Sequence, residues 1–569
     1  MRRGLCLLLV AAGTLVVPAA AFAHAALLHT VPQASGTVDK PPPNVQLTFS
    51  EAVEPRFAVV SVTDAAAHQE TTGPPTRSPT NADTLVVPLK KLREGWYLVY
   101  WRAISVDGHP VRGAFTFAVG PNPGPAPQFV IPSVSETAAT PRLLVFRWLT
   151  FLTTMIAIGL AAMRLAIARP VTRRVPGVSL RAVTWSFGIT AGLGLLVIPA
   201  YLLVSTADFA LRSWWELGAL VPLVRVSAFG RGIFDLWIVF GLFTAAAGLA
   251  IAVDRPERPQ RSLAELLAGL GAALAAAATL IVPGLAGHAA QTSPRGLSVA
   301  LDWLHLAGGS LWIGGLVGLL VLWAAVDGSL RVPALAAVVP RFSNVALVSV
   351  IALVGSGIGA AVIHLPTIAT LWETSYGQAI LWKVGLLIGA LAIASINLLF
   401  TKDRLGRPEE GVRAARLLRG LVAGEAVLVI ATIFAAAVLS SLPPPSKALA
   451  EIGSASAHVG PGEVVQTVKK EGYTFTFRVS PNKAAVPNSF AVQIERDGHP
   501  VTGADVIATF AMLDMEMGNQ AYALTETSPG TYEHAAPALV MVGHWGLSFE
   551  VTPRGGQPIT ILLVDKADG

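Results

Sequence analysis

The stretch Gly287 to Leu316, GHAAQTSPRGLSVALDWLHLAGGSLWIGGL, carries a polar loop into an apolar segment that holds Asp302, His305 and Trp312. Ionisable residues are costly inside an apolar run of bilayer length, so one that persists there is by default a candidate ligand, relay or transport position. Asp302 and His305 are three residues apart, which on a helix sets both on one face. A carboxylate so placed can accept the proton of one imidazole nitrogen and leave the other to bind a metal or take up a proton. His288, among small neighbours in Gly-His-Ala-Ala, is near enough along the loop to fold back over His305. The alternative is a histidine at the water interface that caps a helix end or satisfies a carbonyl. The pairs Gly308-Gly309 and Gly314-Gly315 allow a partner helix to approach closely.

A second constellation lies near the amino terminus. Residues 1 to 23 run from Arg2-Arg3 through an apolar stretch to Ala21-Phe22-Ala23, the order of a secretory signal peptide with an Ala-x-Ala cleavage site; the alternative is an uncleaved anchor helix. Cleavage there makes His24 the first residue and puts a free amine and an imidazole on the same residue, a chelating pair that suits tetragonal copper(II). The turn Asp107-Gly108-His109-Pro110 offers a carboxylate and another imidazole, enough with His24 for a four- or five-ligand site. His29 and His68 read as ordinary surface histidines.

The elements that must position these residues follow from composition and pattern. The chain of 569 residues is 53% hydrophobic and 13% charged with mean hydropathy +0.59, too apolar for a soluble chain. Its net charge of +6 falls in short loops between apolar segments, which speaks for membrane orientation and against nucleic acid. The single cysteine, Cys6, sits in the leader, so the mature chain has no disulfide framework or thiolate site. The fold class is a multi-domain membrane protein: an N-terminal all-β sandwich or barrel over 24–120, a Pro/Gly-rich linker over 121–141, an eight-helix transmembrane bundle over 142–441, a linker over 442–460 and a C-terminal all-β sandwich over 461–569. Eight apolar spans are expected near 143–168, 182–205, 232–253, 263–284, 298–324, 342–363, 378–400 and 420–441. If the first span enters from outside, the loops on the inner side hold Arg169, Arg173, Arg174, Arg181, Arg255, Arg258, Arg261, Arg331, Arg341 and six more Lys or Arg between 402 and 419, while the outer loops hold chiefly Arg212, Arg225 and Arg295. The positive-inside rule and the leader therefore agree, with both termini and both β-domains extracytoplasmic on a bacterial inner membrane. That topology puts His288 at the outer surface, His305 about two turns below it and His364 at the same level. Lys383, Asn397 and Glu425 lie deeper: Lys383 lines a path or snorkels, and Glu425 lines a path or pairs with a neighbouring arginine.

HAALLHTVPQASGTV, the strand VQLTFSEAV and YLVYWRAISVDGHPVRGAFTFAV resemble the CopC family of periplasmic copper-binding proteins over nearly all of 24–120. The resemblance implies copper(II) held by His24, Asp107 and His109; because residues 24 to 141 contain no methionine, the copper(I) site of some members is not expected. The bundle resembles the CopD membrane family through GHA, DWLHLAGGSLWIGGL, RFSNVAL and YGQAILWKVGLL with Asn397 following. This implies copper movement across the membrane, with His288 and His305, and after them His364, as copper positions. The C-terminal MLDMEMG and SPGTYEHAAPALVMVGHWGLSFEV resemble the YtkA-like or FixH-like β-domains found beside copper-handling and oxidase-assembly proteins. Four of the seven methionines fall there, and thioethers suit copper(I), which makes Met515 and Met517 candidate ligands; the alternative is that Met512 and Met541 pack a core. Asp497-Gly498-His499-Pro500 repeats the spelling of the first turn, but without an N-terminal histidine it reads as a hairpin turn.

The expected function is thus capture of copper(II) on the outer side and passage of copper inward, with copper ions and the bilayer as partners and copper chaperones or oxidase-assembly proteins as further candidates. No enzymatic role is expected. The alternatives are a non-transporting copper sensor or assembly scaffold, with haem held by His288, His305 or His364, and a copper-dependent oxidative enzyme.

Overall fold

Period-two alternation in the first hundred residues becomes strands, and the long apolar runs become helices. The computed structural model describes residues 27–34, 36–49, 52–104, 110–124, 140–210, 218, 220–290, 292, 294–365, 367–401, 403–407, 409–442, 455–484, 486–514, 520–536, 538–540 and 542–568. The first domain has strands β1 (Leu27–Val31), β2 (Thr37–Val38), β3 (Asn44–Phe49), β4 (Val59–Asp64), β5 (Thr76–Arg77), β6 (Thr84–Pro88), β7 (Gly95–Ile104) and β8 (Pro110–Val119). They form two four-stranded sheets, β1-β3-β6-β5 and β2-β8-β7-β4. Val45, Leu47 and Phe49 of β3 meet Trp101, Phe115 and Phe117 of the facing sheet in a closed apolar core. Trp101 lies edge-on to Phe49 at 5.4 Å and lies against Gly113 on the neighbouring strand, where a Cβ would come within 2.8 Å of its ring.

Among the described residues, eight helices are long and apolar enough to cross a membrane. They are α1 (Pro141–Ala162), α2 (Arg181–Ala210), α3 (Ala228–Val253), α4 (Leu263–Ala286), α5 (Arg295–Ala325), α6 (Gly328–His364), α7 (Ser375–Ile396) and α8 (Gly411–Leu439). Their starts are written locally. Thr140 caps α1 by accepting from Leu143 N with Pro141 in the first turn, and Ser262 and Glu265 form a reciprocal capping box on α4. The helix α6 begins 14 residues before the expected 342, running through Pro333 and Pro340, because Ala334, Leu335, Val338 and Val339 bury an apolar face there.

The helix α5 is the hub: it packs against α1, α4, α6 and α8. Its glycines do what their spacing suggests. A Cβ on Gly159 of α1 would fall 2.6 Å from Gly314 Cα, and Gly308 and Gly315 abut Ser349 O and the Phe342 ring of α6. The helices α6 and α7, by contrast, lean on α5 and α8 and have little contact with each other. At the bundle end that carries the arginine-rich loops, Arg164 and Arg169 share Asp254 at 2.7 and 2.8 Å, and Arg169 reaches Glu265 at 3.5 Å. These arginines are thus partners of buried carboxylates as well as orienting charges.

The last domain has β9 (Ala457–Val459), β10 (Val464–Lys470), β11 (Tyr473–Ser480), β12 (Asn488–Arg496), β13 (His499–Pro500), β14 (Asp505–Met512), β15 (Gln520–Ser528), β16 (Thr531–Ala536), β17 (Gly543–Thr552) and β18 (Ile559–Ala567). It is all-β, and its layers are one curled sheet, β10-β11-β12-β16-β15-β14-β17-β18-β9, because β15 pairs with β14 on one side and β16 on the other. The outer strands β9 and β10 touch, so the sheet is a nearly closed barrel. Asp497 and Gly498, both at positive φ, turn β12 into β13, which is the hairpin expected of that Asp-Gly.

Both β-domains dock on the same end of the bundle. Arg102 of β7 donates to the Asp208 and Phe209 carbonyls at the end of α2, at 2.9 and 3.4 Å. Phe57 and Ile104 of the first domain enter the apolar core of the bundle. Asp514 accepts from Ser375 N at the start of α7 at 3.3 Å, and Ala114 N donates to Val540 O between the two β-domains at 3.1 Å.

Candidate functional site

Within the bundle, α5, α6 and α7 bring His305, Ser356 and Lys383 together. His305 Nδ1 lies 3.1 Å from Ser356 Oγ, and Nε2 lies 3.2 Å from Lys383 Nζ. The hydroxyl proton of Ser356 is already directed at the Ala352 carbonyl, 2.6 Å away. Its oxygen is therefore the acceptor for His305, which places the ring proton on Nδ1 and leaves the Nε2 lone pair facing the lysine. An ammonium thus donates into the one nitrogen that could ligate a metal.

The expected Asp302–His305 hydrogen bond is absent: the two partners of the ring are Ser356 and Lys383. The two side chains share a helix, but Asp302 turns to α4, where a Cβ on Gly284 would lie 2.9 Å from its Oδ2. A Cβ on Gly357, next to Ser356, would lie 3.4 Å from His305 Cε1.

His364 ends α6 two turns beyond Ser356, a rise of about 12 Å. Its Nδ1 donates to Ala360 O at 2.8 Å and its Nε2 faces Thr292 Oγ1 at 3.2 Å. His288 opens the 3-10 turn His288–Ala290 ahead of α5. His24, Asp107, His109, Met515, Met517 and Met541 lie outside the described residues. The flanks of the first turn are described: β7 and β8 pair up to Ile104 and Pro110, at the edge that docks on the bundle. In the last domain Met512 is buried, as the packing alternative requires, and His544 Nδ1 meets Asp514 Oδ2 at 3.0 Å beside the start of α7. Among the described residues no group of three His, Cys, Asp or Glu is arranged to hold a metal.

Deeper along α5, Trp312 Nε1 donates to Glu425 Oε1 at 2.7 Å, and Asn397 Nδ2 approaches Oε2 at 3.5 Å. Glu425 therefore does not pair with an arginine. Sequence reasoning missed Ser356, whose signal was a hydroxyl flanked by two glycines in an apolar span, and it left Lys383 undecided between snorkelling and lining a path.

Three family models match the chain in order: the CopC domain over 27–120, copper resistance protein D over 336–439 and YtkA-like over 467–550. The second covers His364, Lys383, Asn397 and Glu425 but not His288 or His305. The copper transport protein CutJ of Bacillus subtilis is 27% identical over 544 residues, covering 93% of each chain. Protein YobA of Escherichia coli is 37% identical over 107 residues, 19% of this chain and 86% of its own. Copper resistance protein C of Escherichia coli is 34% identical over 106 residues, 17% of this chain and 83% of its own.

Proposed function

From the CopC and copper resistance protein D models that this chain matches in order, its similarity along 93% of its length to a copper transport protein, and the bundle geometry, we propose that it captures copper(II) on the extracytoplasmic side and moves copper inward past His305. The observation that carries the reading is the Nε2 lone pair of His305, held by Ser356 and met by the Lys383 ammonium inside the membrane-spanning part. A site that already seats a cation on an imidazole nitrogen is built for a cation, and imidazole is a good copper donor. Copper takes the place of the ammonium on Nε2, and Lys383 swings aside towards Asp302.

Capture belongs to the first domain. The amine and imidazole of His24 with Asp107 and His109 make a nitrogen-rich set with one carboxylate, suited to copper(II). The turn that carries Asp107 and His109 follows in sequence the strand end whose Ile104 and Arg102 rest on the bundle. Tethering raises the effective concentration of donor at acceptor. His288 and His364 serve as entry positions above His305. Met515 and Met517, next in sequence after Asp514, are candidate copper(I) ligands. Sidedness is supported by the arginine-rich loops at the end opposite the β-domains.

The test is copper accumulation in import-deficient bacterial cells that express the full chain, beside His305→Ala and His24→Ala. Import predicts that wild type raises cell copper, that His305→Ala abolishes the rise, and that His24→Ala weakens it only at low copper. Unchanged or falling copper in the wild type overturns import and leaves efflux, sensing or assembly.

A further inference from the structure

Glu425 sits in the middle of α8, 3% exposed, on a cavity of about 150 Å³ whose walls come from α5, α6, α7 and α8. The cavity occupies the inner part of the seam that α6 and α7 leave between them. The outer part of the same seam holds His305, Ser356 and Lys383. Trp312 and His305 are seven residues apart on α5, a rise of about 10 Å, so the two clusters are consecutive along one path.

The chemistry of the inner cluster differs from that of the outer. A carboxylate buried in a bilayer needs a cation, a metal or a proton. Here both donors, Trp312 and Asn397, are neutral. Among the described residues no other titratable side chain lines the cavity: its polar members from α6, α7 and the turn after α7 are Ser343, Ser395 and Asn397. No Lys or Arg among the described residues lines the cavity, Arg341 of α6 and Arg413 and Arg416 of α8 included, and several of the nearby cations are engaged elsewhere. Arg147 of α1 binds Tyr201 and Ser441, Arg164 binds Asp254, Arg331 and Arg419 stack on Trp323 at 4.3 Å, Arg404 pairs with Glu410 and Lys383 holds His305. A second observation marks the place as built for exchange. Asn397 opens a π-helical turn, Asn397–Thr401, and its buried Oδ1 has no hydrogen-bond partner among the described residues. Such turns interrupt the helix ladder and recur at functional sites.

We propose that Glu425 is a proton-binding site in the inner part of the bundle, and that the proton and passing copper(I), formed from captured copper(II) by one electron from an extracytoplasmic thiol reductant, occupy its carboxylate alternately, so that copper moves in exchange for a proton. The coupling rests on the transport reading; the proton site does not. Oxygen donors are poor ligands for copper(I), so the metal passes Glu425 without being trapped. The proton it displaces leaves through the cavity, and the carboxylate is protonated again once the metal has gone. One-for-one exchange makes the copper(I) gradient at balance rise about tenfold per unit of imposed pH gradient.

Two measurements on the full-length protein in lipid test this. Infrared difference spectra between alkaline and acidic buffer should contain the carbonyl band of a protonated carboxylic acid that Glu425→Gln removes and Trp312→Phe, which deletes the donor to Oε1, shifts. A spectrum unchanged in Glu425→Gln overturns the proton site; if that variant does not fold, a band unmoved by Trp312→Phe overturns it as well. In proteoliposomes with copper(I) as the probe, the wild type should show the pH-gradient dependence and Glu425→Gln should lose it, so that whatever copper still moves ignores the gradient. Dependence on a sodium gradient instead overturns the proton as the exchanged ion. A wild type that moves no copper but keeps the carboxyl band overturns the coupling and the transport reading while the proton site stands.

Discussion

The outer and inner clusters of the bundle share helices α5, α6 and α7 and one seam, yet they solve the cost of buried polarity in opposite ways. At His305 a neutral imidazole is given a cation, Lys383, as its partner, and Ser356 fixes the tautomer that presents the lone pair. At Glu425 an acid is given only neutral donors, Trp312 and Asn397, and a cavity. The first arrangement favours a second cation over the one in place, and the second favours a proton. The order along the seam, nitrogen first and oxygen deeper, places the metal donor ahead of the carboxylate at which metal and proton exchange.

The largest effect expected from breaking this contrast is at its outer half. His305→Ala removes the donor altogether and should abolish copper accumulation, read as total cell copper in the import-deficient cells described above. Lys383→Met tests the other half of the pair. If the ammonium competes with copper, its removal should tighten copper(I) binding to the purified protein on the order of tenfold, since a charge 3.2 Å from the ligating nitrogen repels any metal that approaches. Weaker binding in Lys383→Met, measured by competition with a copper(I) chelator, would make the lysine a support of the site and not a rival.

Much of this architecture was legible in the residues. Period-two strands, eight bilayer-length spans and the arginine-rich loops follow from local pattern and composition, and so does the role of the glycine pairs around Trp312. The central place of α5 also follows, because a helix rich in glycine can be approached from several sides at once. Illegible were the partners of each polar group. Asp302 and His305 are neighbours on α5, and nothing in their spacing says that one turns to Gly284 and the other to residues 51 and 78 positions away on α6 and α7. Glu425 invited an arginine from the nearby loops, but its side-chain partners are Trp312 and Asn397, and Arg164, Arg169, Arg331, Arg404 and Arg419 are used by Asp254, Trp323 and Glu410. Long-range choices among several possible partners are settled by packing, which a single sequence does not display.

A buried carboxylate in a water-facing domain gives a reference for Glu425. Asp565 on β18 is fully buried; Asn482 donates to its Oδ1, Oδ2 has no partner among the described residues, and His544 and Asp568 are the charged groups that face it. Burial pushes its carboxyl up from 3.8 to about 6. The native state therefore holds a proton that the unfolded chain gives up. The stability this contributes is complete below the unfolded value and is lost as pH rises through the folded one, a change of about 3 kcal/mol at most. Hydrogen exchange of the β17 and β18 amides should slow as pH is lowered from 7 towards 4 beyond the intrinsic chemical change, and Asp565→Asn should remove that extra slope. An unchanged slope would mean that this aspartate stays ionised in the fold.

The smallest effect tests the finest part of the contrast, the tautomer. Ser356→Ala deletes the acceptor of the His305 Nδ1 proton and leaves the ring otherwise in place. A neutral hydrogen bond of this kind is worth about 1 kcal/mol, so copper(I) binding should weaken about fivefold, far less than the loss in His305→Ala. Ser356→Thr keeps a hydroxyl at the same position and should restore most of the affinity. If alanine and threonine behave alike, Ser356 acts through packing against His305, and the lone pair on Nε2 is held there by Lys383 alone.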